Sequence, residues 1–196
     1  MSQAKPEVLF DQATIARRVS EVGQEVARAF DGREVCVIGL MKSGLCFMAD
    51  LIRQIPLELT CHMLRSASLR GVETGGLGRT DIVFSAEIPY DGRDILLVEG
   101  VVDTGITLNF LLDHIKERLP RSLKVCALID KPMDRKIDVR PDWALFTLKE
   151  PLADGRFIVG YGLDHAEPAP CPVHAARSTA GQPDCSGGVP CRDLPE

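Results

Sequence analysis

Residues Ile95 to Thr107 read ILLVEGVVDTGIT, and the order of features in this stretch decides the fold class. An apolar run ends on one acid, Glu99, and passes through Val101 and Val102 to a second, Asp103. Thr104-Gly105-Ile106-Thr107 then opens a segment in which Leu108, Leu111, Leu112 and Ile115 recur at helical spacing, so a strand feeds a helix. The turn between them suits a phosphate monoester. Gly105 lets the backbone come close, Thr104 and Thr107 offer hydroxyl donors, and N–H groups at the positive helix end point outward. Carboxylates just ahead of such a cradle would repel phosphate, so Glu99 and Asp103 must face something else: sugar hydroxyls, a metal or a developing cation. Without a ligand, the same residues read as an acidic strand end with Thr104 capping a helix.

Outward from this stretch, strand and helix signals alternate. Ile15, Val19, Val22, Val26 and Phe30 form one apolar face of a helix, with Asp11 as its N-cap and Asp31-Gly32 at its end. Glu34 to Leu40 (EVCVIGL) is a buried strand, broken by Met41-Lys42-Ser43-Gly44, and helical spacing resumes from Leu45 to Gln54. Leu57 to Leu64 reads as a second strand. The Gly-rich polar stretch Ser66 to Arg79 reads as a mobile loop, with a short strand at Ile82 to Phe84 beyond it. Asp94 to Glu99, Leu123 to Ile129, Ala144 to Thr147 and Phe157 to Tyr161 supply further strands, and Thr107 to Arg118 a helix. Such alternation means an α/β domain with a largely parallel sheet. Ligands bind such sheets at the carboxyl ends of the strands, which singles out Met41 to Gly44 and Glu99 to Thr107.

Composition excludes several classes. The chain has 196 residues, one domain's worth, and a formal net charge of −5, which argues against bulk binding to nucleic acid. No apolar run reaches the ~20 residues of a membrane span, and Met1 to Glu7 carry no apolar secretory core. Six of the 13 prolines fall within Ala166 to Glu196, a stretch with no aromatic, Ile or Met. Residues 1–165 are therefore expected to form the folded domain, and 166–196 an irregular tail containing Pro, Gly and Cys. Cys36, Cys46, Cys61 and Cys126 read as small buried hydrophobes, and Cys171, Cys185 and Cys191 as exposed thiols of the tail. No Cys-x-x-Cys pair argues for a zinc site, and an odd cysteine count in a cytoplasmic composition argues against a disulfide framework.

The motifs together resemble a known family. ILLVEGVVDTGIT resembles the 5-phosphoribosyl-1-pyrophosphate signature of phosphoribosyltransferases, in which a strand leads into two acids, two apolar residues and Asp-Thr-Gly-x-Thr. Leu40 to Ile52 (LMKSGLCFMADLI) resembles the pyrophosphate loop of hypoxanthine-guanine phosphoribosyltransferases, a Leu-Lys-Gly turn entering a helix. Ala127 to Pro132 (ALIDKP) resembles their purine-recognition strand, and Phe157 to Glu167 (FIVGYGLDHAE) their base-stacking and metal-binding segment. Four motifs in the family's order span roughly residues 7 to 167.

The resemblance implies a type I phosphoribosyltransferase fold, a central mostly parallel sheet flanked by helices with a small hood and a flexible active-site loop. It implies a cytoplasmic pentosyltransferase of purine salvage, moving the phosphoribosyl group to hypoxanthine or guanine with Mg²⁺ on the phosphates. The partners implied are 5-phosphoribosyl-1-pyrophosphate, a purine base, the product nucleotide monophosphate, and copies of the same chain in a homodimer or homotetramer. Asp103 would be the catalytic acid beside the base; Glu99 would meet the ribose hydroxyls, and Thr104, Gly105, Ile106 and Thr107 would hold the 5′-phosphate. Lys42, Ser43 and Gly44 would cradle pyrophosphate, in a loop that often carries a cis peptide. Lys131 would donate to the purine 6-oxo group, Phe157 would stack on the base, Ile158 would offer backbone contacts, and Asp164 would bind Mg²⁺.

Three positions depart from the family pattern. Gly100 stands where a second acid is usual, the Gly-rich loop has Ser but no Tyr, and Pro168-Ala169-Pro170 replaces an expected Arg. Losing the second acid would remove one ribose contact, about 1.5–3 kcal/mol. These departures leave a second expectation open: a nucleotide-binding or regulatory protein on the same fold, or an enzyme for a non-standard base.

Overall fold

The computed structural model describes residues 7–68, 80–84, 88–150, 152, 156–163 and 175–179. Strand β1 (Glu7–Phe10) leads into helix α1 (Gln12–Phe30), whose N-cap Asp11 accepts a hydrogen bond from the Thr14 N–H at 2.7 Å. Asp31 ends the helix in the left-handed conformation (φ 50°) and returns its N–H to the Arg28 carbonyl. There follow β2 (Val35–Met41), α2 (Leu45–Ile52), β3 (Leu59–Ser68), β4 (Thr80–Phe84), β5 (Asp94–Val102), α3 (Ile106–Lys116) and β6 (Ser122–Asp130). A single 3-10 turn (Pro132–Asp134) precedes β7 (Trp143–Thr147), β8 (Arg156–Val159) and β9 (Ala175–Thr179).

Six strands form one sheet in the order β4-β3-β2-β5-β6-β7, all parallel except β4, which runs antiparallel to β3. Period-two alternation splits the central strands between two apolar layers. Val35, Val37, Leu96, Val98 and Leu128 pack with α1 and α2, whereas Cys36, Ile38, Ile95, Leu97 and Val125 pack with Leu108, Leu111 and Ile115 of α3. Burial on both faces is what a parallel sheet requires, and it explains why β2 and β5 read as continuous apolar runs. Among the described residues, no helix is long and apolar enough to cross a membrane. A second, antiparallel sheet of three strands, in the order β1-β9-β8, forms the small hood.

Three expectations need correction. The second strand runs from Leu59 to Ser68 rather than Leu57 to Leu64, because β4 pairs with its far half from Leu64 to Ser68. Residues 69–79 of the expected loop lie outside the described residues. Of the four cysteines read as buried, Cys36 and Cys126 are buried, Cys46 is half-buried and Cys61 is exposed; all four are free thiols. Cys61 lies on the part of β3 that has β2 on one side and precedes the pairing with β4. Finally, β9 falls within the segment read as irregular, where its backbone pairs with β1 and with β8.

Candidate active site

The chain passes from β2 outward to β3, and later returns to the other side of β2 as β5. Strand order therefore reverses between β2 and β5, and at such a switch point the loops leaving neighbouring strands diverge and open a crevice. A cavity of about 250 Å³ lies there. Its walls are Leu40 to Ser43 from the end of β2, Glu99 and Val101 to Gly105 from β5 and its exit, and Thr107 and Leu108 of α3.

Gly105 caps α3 with φ 82°, and a Cβ there would come within 2.8 Å of Val139 Cγ1 and 2.9 Å of the Ile137 carbonyl oxygen. Only glycine meets both demands. The Thr104 carbonyl accepts from the N–H groups of Lys136 (2.9 Å) and Ile137 (3.1 Å), which anchors the turn from behind. The first N–H groups of α3 lack acceptors within the helix and can serve an anion. Ile106 is half exposed beside them.

On the opposite wall the Met41–Lys42 peptide is cis. Lys42 is exposed and Ser43 half-buried, and both line the cavity. Gly44 is different: it is buried, and its N–H donates to the Leu40 carbonyl at 2.9 Å. Its part is to close the turn, so the N–H expected to face pyrophosphate is occupied within the turn itself.

Glu99 is 6% exposed. Its Oε1 accepts from the Ser43 hydroxyl and from the Gly100 N–H, each at 3.2 Å. Burial pushes its carboxyl up to about 7, against the opposing pull of the Ser43 hydroxyl and the Gly100 and Val101 N–H groups. Asp103, by contrast, is exposed, and its Oδ2 lies 3.2 Å from Lys131 Nζ. The same ammonium sits 2.6 Å from Asp134 Oδ2. Burial of Lys131 opposes its charge, but the hydrogen bonds to Asp134 and Asp103 prevail and hold its pKa above the ordinary lysine value. Behind it, Arg135 pairs with Asp130 in a bridge where both side chains are largely covered.

The structure thus brings Glu99, Asp103, Thr104, Gly105, Thr107, Lys42 and Ser43 around one cavity, with Lys131 reaching Asp103 at its mouth. Ile158 does not line the cavity; it is buried in the core with Tyr161 and Leu163. Phe157 is described only as backbone of β8, and Asp164 lies outside the described residues, as do His165 and the Pro168–Pro170 segment. One residue, Asp134, and one pairing, Ser43 with Glu99, escape the sequence reading. Asp134 had a local signal, since Lys131 and Asp134 are three apart across a Pro-initiated turn. Ser43 and Glu99 had none, being 56 residues apart.

A family model described as the phosphoribosyl transferase domain matches residues 7–166. Hypoxanthine-guanine phosphoribosyltransferase of Bacillus subtilis is 35% identical over 160 residues, covering 82% of this chain and 86% of that protein. Hypoxanthine phosphoribosyltransferase of Haemophilus influenzae is 30% identical, covering 85% and 92%. Among solved structures, a hypoxanthine-guanine phosphoribosyltransferase of Bacillus anthracis superposes with a TM-score of 0.77 at 30% identity, over 91% of this chain and 99% of that one.

Proposed function

This chain belongs to the hypoxanthine-guanine phosphoribosyltransferase family and is a purine-salvage pentosyltransferase, and from that premise we propose how its own residues carry the reaction. The substrates are 5-phosphoribosyl-1-pyrophosphate and hypoxanthine or guanine, and the products are the nucleotide monophosphate and pyrophosphate. One observation carries the reading: a phosphate-binding helix start, a buried carboxylate, an exposed carboxylate and the Lys42–Ser43 turn converge on one cavity at the switch point of the sheet.

The 5′-phosphate sits on the Thr104–Thr107 turn, held by the N–H groups at the start of α3 and the threonine hydroxyls. Glu99 accepts hydrogen bonds from the ribose diol, and Lys42 with Ser43 receives the pyrophosphate. Cleavage at C1 leaves the ribose with oxocarbenium character, which a nearby carboxylate stabilises electrostatically. Asp103 is the carboxylate available: it is exposed at the cavity mouth and takes the proton displaced from the attacking purine. Lys131 is poised beside it, and a 6-oxo group would draw its ammonium from Asp103, freeing that carboxylate as the base arrives. By the resemblance, Phe157 would stack on the base and the backbone of Ile158 would border it.

Mg²⁺ is the ion the resemblance implies; it would come in on the substrate phosphates, with Asp164 as the protein carboxylate to meet it. Such an ion supplies charge neutralisation on the leaving pyrophosphate. A cytoplasmic setting is what the resemblance implies. A homodimer or homotetramer is implied in the same way, and size-exclusion chromatography with light scattering tests it.

The test is a base panel (hypoxanthine, guanine, xanthine, adenine) with 5-phosphoribosyl-1-pyrophosphate and Mg²⁺. Turnover is expected with 6-oxopurines, and Asp103→Ala should lower kcat about 10²–10⁴-fold as a lost acid–base group. Tight nucleotide binding without turnover of any base would instead identify a sensor on this fold.

A further inference from the structure

Gly100 replaces the family's second acid, and the residue's surroundings explain why. A Cβ at Gly100 would lie 2.6 Å from the Ser43 carbonyl oxygen and 2.7 Å from both its carbonyl carbon and its Cβ. Two of these atoms are backbone, so no side-chain rotation relieves the clash. The turn after β2 therefore rests against the bare backbone of Gly100. From that seat the Ser43 hydroxyl reaches Glu99 at 3.2 Å. Ser43 lies between Lys42 and Gly44 in the turn that resembles the family's Leu-Lys-Gly. Two features meet in space: the Ser43 side chain on the turn and the bare backbone of Gly100 on the strand.

We propose that Ser43 and Gly100 form a reciprocal pair in which Gly100 seats the turn and the Ser43 hydroxyl positions Glu99 for the ribose, in place of the absent second acid. The proposal rests on the phosphoribosyl-transfer reading above. Ser43 acts here as a positioning residue, because its hydroxyl orients a carboxylate that touches the substrate. Its consequence is a link between two subsites. The turn that receives pyrophosphate is tied through one hydrogen bond to the acid that receives the sugar, so two adjoining parts of the same co-substrate are read through one contact. The purine side, built from Asp103 and Lys131, is not part of that link.

Steady-state kinetics on the full chain provide the test, with wild-type turnover of a 6-oxopurine checking the underlying reading separately. Ser43→Ala should raise KM for 5-phosphoribosyl-1-pyrophosphate about tenfold or more, the equivalent of one hydrogen bond to a charged group. The Ser43 hydroxyl favours ionised Glu99, so Ser43→Ala should also move the rise of kcat/KM with pH upward, a shift that loss of a direct pyrophosphate contact would not produce; an unmoved profile overturns the proposal. Ser43→Thr, which keeps the hydroxyl, should restore most of the loss. Gly100→Ala should raise the same KM, and the penalty should shrink when Ser43→Gly is added, because a glycine turn can yield where a serine turn cannot. Thermal melts report whether each variant is folded, and Ser43→Ala, which removes one hydroxyl, serves if Gly100→Ala does not fold. An unchanged co-substrate KM in Ser43→Ala overturns the proposal. So does a Gly100→Ala penalty that is the same with Ser or Gly at position 43.

Discussion

Glu99 and Asp94 are five residues apart on one strand, both buried, and the protein treats their charges in opposite ways. Around Asp94, burial disfavours the charge, but hydrogen bonds from Arg121 and Ser122 and the charges of Arg121 and Arg33 outweigh it, so its pKa lies below the usual carboxylate range. Its stabilisation is full above the unfolded-state value near 3.9 and is lost as pH falls from there through the lower folded-state value. Around Glu99, burial prevails and the pKa rises from 4.5 to about 7. The sign reverses: between those values the native state binds more protons than the unfolded chain, so this residue's contribution declines as pH rises towards 7. Glu99→Gln is therefore expected to be more stable than the parent at pH 8, by on the order of 1–3 kcal/mol, with the difference vanishing near pH 4. Denaturant titrations at the two pH values check this. In the parent, kcat/KM for 5-phosphoribosyl-1-pyrophosphate should rise as Glu99 ionises near pH 7, and the same variant should lose that rise. A variant less stable at pH 8 would contradict the buried charge. Stability surrendered at a binding carboxylate is a common exchange for function.

At the level of elements, the two ends of the parallel sheet divide the labour. The carboxyl ends of β2 and β5 make the cavity, while the amino ends of β5 and β6 are fastened by Asp94, whose Oδ1 accepts from Ser122 Oγ at 2.5 Å and whose Oδ2 accepts from Arg121 Nε at 2.9 Å. Arg33, just beyond α1, adds a third contact at 3.4 Å. Asp94→Ala removes the shared partner of two arginines and a hydroxyl; because both arginines can turn to water, the loss should be about 1–3 kcal/mol in chemical denaturation. Because the cavity is at the other end of the strands, the folded variant should keep the parent's KM values; a selective rise in KM would mean the two ends are coupled. This division also governs what was legible in the sequence. The helices and central strands could be read because apolar spacing records which face is buried, and Asp11, Asp31 and Gly105 mark their ends. The phosphate turn was legible for the same reason, being one continuous stretch. Ser43 on Glu99 and the bare seat at Gly100 were not, since a contact across 56 residues leaves no local periodicity to read. The Gly100 substitution looked like a lost ligand; the structure gives it a packing cause.

For the whole molecule, the open matter is where the working protein ends. Composition sets the boundary near residue 165, and the family model reaches 166. Yet β9 (Ala175–Thr179) is the middle strand of the hood, paired with β1 along Glu7–Phe10 and with β8 along Arg156–Val159. Nothing in AARST advertises a strand, because its stabilisation comes from backbone pairing with β1, at the start of the described chain, and with the preceding β8. Two strands that flank a missing third have no partner between them, and short strands alone are marginal in water. We therefore expect that ending the chain after Glu167 leaves β1 and β8 unpaired and lowers the melting temperature. Since β8 carries Phe157 and Ile158, proposed for the purine side, KM for the base should rise with it, while KM for 5-phosphoribosyl-1-pyrophosphate, bound at the sheet's switch point, should move least. Ending the chain after Ala180 keeps all three strands and should preserve both values. If the shorter chain melts and binds base like the full one, the hood needs no third strand and the functional boundary is the one composition indicates. If it fails selectively toward the base, part of the proline-rich segment belongs to the active domain.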